Sequence, residues 1–86
     1  MTVAEAVALV LRRLSAEQVA ALAAAAERSV TAPSSVPGVV DGGTPAAVDA
    51  VHALLSAWRA APELGGEAMA LALRVALAER ERAEAR

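Results

Sequence analysis

Residues 2–18 read TVAEAVALVLRRLSAEQ, and two short patterns within them decide the fold. Thr2-Val3-Ala4-Glu5 and Ser15-Ala16-Glu17-Gln18 each have the form of a capping box. In such a box a hydroxyl, and a carboxylate or amide three residues on, satisfy N–H groups left without partners at a helix start. After the first box Val3, Val7, Val10, Leu11 and Leu14 recur with a helical period and share one face, while Glu5 and Arg12 fall opposite. Arg12 and Arg13 close this helix, where cations suit the negative end of the dipole. Leu14 and Val19 flank the second box in staple positions. The spacing predicts one helix over 3–14 and another over 16–28, the latter with Val19, Leu22, Ala26 and Val30 on its seam. With only Ser15 between them, the pair should form a tight corner or hairpin.

Working outward, residues 31–44, TAPSSVPGVVDGGT, carry prolines, glycines and serines and no period of either kind, so they read as a linker. Such a linker is long for a helix connection, and Val36, Val39 and Val40 are the residues that would order it. Thr44-Pro45 restarts the chain as cap and first helical residue. A third helix is expected over 45–60, burying Val48, Val51, Leu54, Leu55 and Trp58. Pro62 and Gly65-Gly66 break the chain again, and a fourth helix is expected over 67–84. The whole is an all-α single domain, a small four-helix bundle with a Pro/Gly-rich linker between helices two and three.

Helix four differs from the others. At about 100° per residue, Met69, Leu73, Ala76 and Leu77 make one stripe. Leu71, Val75 and Ala78 make a second on nearly the opposite side, with Arg74 as its main polar interruption. A surface helix of a thin domain needs one apolar stripe. A second implies cover from outside the bundle, and Leu71, Arg74, Val75 and Ala78 are the candidate partner surface. The charged end ERERAEAR, residues 79–86, reads as a solvated, fraying terminus or as a helix that continues in a longer protein.

Composition bounds the chemistry. The 86 residues have no Cys and one His, which leaves no disulfide, thiolate site or His-pair metal site. There is no Lys, Asn, Ile, Phe or Tyr, a bias toward GC-rich codons that suggests a bacterial source. The formal net charge of −2, with acids and arginines interspersed, is no footprint for nucleic acid. Near the N-terminus the longest wholly apolar run, residues 19–26, is far short of the roughly 20 needed to cross a bilayer. Glu5, Arg12 and Arg13 spoil a secretory signal pattern, so a soluble, cytoplasmic protein is expected.

Asp49, His52 and Ser56 lie along one face of helix three, yet a row on one helix lacks the oxyanion donors and strand–turn geometry of a nucleophilic serine. A rim histidine with a local hydrogen bond is the expectation there. The glycines match neither a phosphate loop nor a dinucleotide fingerprint. Val36-Pro37-Gly38-Val39 has the outline of a helix-hairpin-helix turn, but Val40 stands where its second glycine belongs and basic residues are lacking around it. Trp58, the one aromatic residue, is expected in the core rather than at an interface.

Residues 54–82, LLSAWRAAPELGGEAMALALRVALAERER, together with the capped pair at 11–26, LRRLSAEQVAALAAAA, resemble the helical region that precedes the catalytic domain in phospholipase D-like proteins of DISARM-type bacterial anti-phage systems. That family's active site requires His-x-Lys motifs, and this sequence has none, so no catalytic residue carries over. The resemblance implies the accessory N-terminal part of such a protein, with the phosphodiesterase chemistry in a catalytic domain beyond it.

The sequence reading is therefore a non-catalytic helical accessory or protein-interaction domain, without cofactor or metal. Its partner would be a protein or a missing C-terminal domain. One alternative is a stand-alone homo-oligomeric adaptor, in which two copies of the second stripe form a homodimer. A weaker one is a helix-turn-helix DNA-binding regulator resting on Arg12, Arg13 and Arg28.

Overall fold

A computed structural model describes residues 1–32 and 44–85. The described residues form four helices: α1 (Val3–Arg13), α2 (Ala16–Glu27), α3 (Pro45–Arg59) and α4 (Gly66–Glu84). The chain is a small all-α four-helix bundle, and each helix boundary lies within one residue of the expected one. Most of the expected linker, including Val36, Val39 and Val40, lies outside the described residues.

Both capping boxes are formed. The Glu5 amide donates to Thr2 Oγ1 at 3.1 Å while Thr2 N–H donates to Glu5 Oε1 at 3.2 Å. Gln18 N–H donates to Ser15 Oγ at 3.2 Å and Ser15 N–H to Gln18 Oε1 at 2.8 Å. The Thr44 hydroxyl accepts from Ala47 N–H at 3.1 Å, with Pro45 at the first helical position. Each cap is worth about 1 kcal/mol, and together they set where the helices begin.

All four helices feed one core, with Val10, Val19, Leu22, Leu54, Leu55, Met69 and Leu73 its largest fully buried side chains. Trp58 is buried, and its indole N–H donates to the Leu64 carbonyl at 2.6 Å, which satisfies its one polar atom within the α3–α4 turn. The close pairs are α2 with α4 and α1 with α3. Because α1 and α2 barely touch, the Ser15 joint is a corner and not a hairpin.

Val30, expected on the α2 seam, is instead 87% exposed. The helix has already ended: Arg28 is the C-cap, Ser29 N–H donates to Ala26 O at 3.0 Å, and Ser29 Oγ donates to Ala25 O at 3.1 Å. A 3.6-residue period has no force beyond its cap.

Gly66 is buried as the first residue of α4, and a Cβ placed there would overlap the carbonyl oxygens of Ala26 and Ser29. The positive end of α4 thus rests on the negative end of α2, a favourable meeting of dipoles that only glycine permits at this separation. From that point α4 runs antiparallel to α2, and its far end reaches the corner between α1 and α2.

Candidate functional site: an open apolar groove between α1 and α4

At that far end Arg80 turns back onto α1. Its Nη1 donates to the Leu11 carbonyl and, at 3.4 Å, to the Leu14 carbonyl. Leu11 O belongs to the last turn of α1, where carbonyls have no partner within the helix. Arg80 Nε is buried without a hydrogen-bond acceptor, its nearest carboxylate being Glu84 Oε1 at 3.7 Å. The expectation of a solvated charged terminus therefore fails at Arg80, whose side chain is only 25% exposed. The helix carries it over the end of α1, so its charge caps that end.

Beside this bridge α1 and α4 run alongside each other without closing. An open groove of about 840 Å³ lies between them. From α1 it is lined by Val3, Ala4, Val7, Ala8 and Leu11. From α4 it is lined by Ala68, Leu71, Ala72, Val75 and Ala76, with Glu79 and Arg80 its charged members. Leu71 is 63% and Val75 48% exposed, while Met69 and Leu73, each about 160° around the helix from Leu71, are fully buried.

The four residues singled out in the sequence do not form one surface. Leu71 and Val75 share the groove. Arg74 lies toward α2, where its Nη1 pairs with Glu27 Oε2 at 2.6 Å with both side chains about half exposed. Ala78 is exposed and outside the groove lining. On the opposite stripe Met69 and Leu73 are buried as expected, but Leu77 and Ala76 are only half-buried against the core, and Ala76 lines the groove.

No family model, curated protein or solved structure matches this chain. The groove must be understood from its own residues.

What sequence reasoning missed is the α1 wall. Its signal was Ala4 and Ala8, one turn apart on the flank of the α1 stripe, which widen the apolar face beyond what the core covers. The polar candidates do not converge. His52 is exposed and makes no hydrogen bond to Asp49 or Ser56, so the local bond expected of it is absent. Among the described residues no three of His, Cys, Asp and Glu are placed to hold a metal ion, and no helix is long and apolar enough to cross a membrane. Arg12 and Arg13 stand at the end of α1, whereas Arg28 lies about 20 Å of helix away at the other end of α2.

Proposed function

We propose that this chain is a non-catalytic protein-interaction domain whose α1/α4 groove seats an apolar helix. The supporting observation is that Leu71 and Val75, the exposed large apolar residues of α4, lie along a single groove with a second apolar wall from α1. Each such side chain left in water forgoes part of the roughly 1.5–3 kcal/mol that full burial contributes. Contiguous apolar surface of this kind marks a contact site. A groove between two helices accepts a third by the same ridge-and-groove packing that joins helices within a bundle. Under the resemblance to phospholipase D-like defence proteins, the domain is the accessory part of such a protein and the groove the seat for its catalytic domain.

The test uses 8-anilinonaphthalene-1-sulfonate as an apolar probe and backbone NMR shifts as the map. Shifts should cluster at Ala4, Ala8, Leu71 and Ala72. They should vanish in a Leu71→Glu, Val75→Glu double variant that retains its helical circular dichroism. If that variant unfolds as Leu73→Glu does, or if the shifts fall elsewhere, the groove is no docking site.

A further inference from the structure

The lining of the groove carries two charged side chains, Glu79 and Arg80, and both stand at the same end of it. They are not equivalent. Arg80 spends its charge on the carbonyls of Leu11 and Leu14, with Glu84 the carboxylate nearest its Nε. Glu79 is exposed and has neither an ion pair nor a hydrogen bond among the described residues. From Ala68 to Glu79 the α4 wall rises about 16 Å, the length of three helical turns. A helix seated in the groove therefore meets one uncompensated carboxylate, and meets it at an end.

The walls also fix a direction. Arg80, near the end of α4, meets Leu11 and Leu14 at the end of α1, so the two helices run the same way. Their N-terminal ends lie together at the far end of the groove, by Ala4 and Ala68. Helix N-termini carry positive partial charge and C-termini negative. An occupant antiparallel to both walls brings its negative end to those two N-termini and its positive end to Glu79. A parallel occupant sets like ends together and turns its last carbonyls toward the Glu79 carboxylate.

The alanines set the apolar side of the match. Ala4, Ala8, Ala68 and Ala72 leave room between the two backbones, which large aliphatic side chains at helical spacing on an occupant fill. The chain's own helices do not supply the charge. Glu5, Glu17 and Glu67 stand in the first turns of α1, α2 and α4, and the first turn of α3, residues 45–48, is uncharged. A second copy therefore brings a carboxylate, or no charge, to Glu79. We propose that the occupant of the α1/α4 groove is a helix other than the four of this chain, antiparallel to α1 and α4. It carries leucine-sized side chains along one face and an arginine or lysine in its first turn that pairs with Glu79. The proposal rests on the docking role of the groove and adds the chemistry and direction of what docks.

The probe is a synthetic helix of about 14 residues, acetylated at its N-terminus, with leucines at helical spacing in a background of alanine and glutamine. One form carries arginine in its first turn, a second carries glutamate there, and a third carries the arginine in its last turn. Binding is followed by backbone NMR shifts at Ala8, Ala72 and Glu79. The first form should bind about two- to fivefold more tightly than either of the others, the range for one ion pair at a protein surface. Glu79→Gln should remove that preference, and Glu79→Arg should turn it toward the glutamate form. Both variants should keep their helical circular dichroism, since Glu79 is exposed and unpaired among the described residues. A nitroxide on the first residue of the first form should broaden the amide of Glu79 more than that of Ala4. Equal binding of the three forms in the groove, or broadening centred on Ala4, overturns the proposal and leaves the docking groove standing. So does self-association of the chain at micromolar concentration that the peptide reverses, because a second copy is then the occupant. If neither the peptides nor the apolar probe shift the groove residues, the docking role itself fails and this proposal with it.

Discussion

Helix α4 has two neighbours and meets them in different ways. Toward α2 the contact is close: Gly66 rests on the carbonyls of Ala26 and Ser29, Met69, Ala70 and Leu73 are buried, and Arg74 reaches Glu27. Toward α1 the helices stand apart, with a groove between them and Arg80 as the hydrogen-bonded bridge. Both sides of α4 are built of Ala, Leu and Val, so apolar composition alone does not separate the packed side from the open one. What separates them is how near the backbones come. Glycine and the alanines Ala23 and Ala26 let α2 close onto α4, and leucine fills what remains. Across from α1 the backbones stay apart, and Leu71 and Val75 stand among the alanines without filling the space.

The largest effect should come from truncating the packed side. Leu73→Ala is expected to cost about 2–5 kcal/mol as a cavity in a dense core, whereas Leu71→Ala should stay within about 0.5 kcal/mol for the monomer. Urea unfolding of both variants measures the difference, and equal losses would erase the contrast between the two sides. Next is Gly66→Ala. A methyl group there meets backbone oxygens that cannot rotate away, so helix α4 must shift off α2, at about 1–3 kcal/mol. For a domain of this size each kcal/mol lowers Tm by about 4–8 °C, readable by calorimetry. A stable Gly66→Ala variant would mean the α2–α4 contact is less constrained than its geometry indicates.

The smallest effect should come from the open side. Arg80→Met keeps most of the apolar stem and removes the donors to Leu11 and Leu14, at about 1–2 kcal/mol. Its signature is local, with faster amide exchange in the last turn of α1 and little change in α2. If exchange rises throughout, Arg80 is holding the whole bundle and the open side is not separable from the packed one.

Much of the fold was legible because its determinants are local. Thr2, Ser15 and Thr44 each bond an amide three residues on, and the stripes of α1, α3 and α4 are read within one helix. Val30 was misplaced because a period does not announce its own end, and Ser29 bonds back to Ala25 and Ala26 through groups that any sequence near a helix end could use. Which helix pairs with which is a long-range matter. Gly66 stood in the sequence as a breaker, and nothing local shows that it lies against Ala26 and Ser29, some forty residues earlier. For the same reason half of the candidate site was legible: Leu71 and Val75 are marked by their phase on α4, but their neighbours Val3, Ala4, Val7 and Ala8 are set by tertiary packing. Arg80 was hidden within a charged terminal run, and only the end of α1 gives it a distinct role.

The indole of Trp58 has a spectroscopic consequence. It is the only aromatic side chain of the protein, since Tyr and Phe are absent, so all intrinsic fluorescence comes from one site. That site is dry and bonded to Leu64 O, at a cleft lined by Thr31, Ala32, Arg59 and Pro62, none of which touches the α1/α4 groove. The position of the emission maximum therefore reports on the core around Trp58 rather than on the groove. A variant that reddens the emission has let water reach Trp58, whereas one that loses only groove residues should leave its maximum in place.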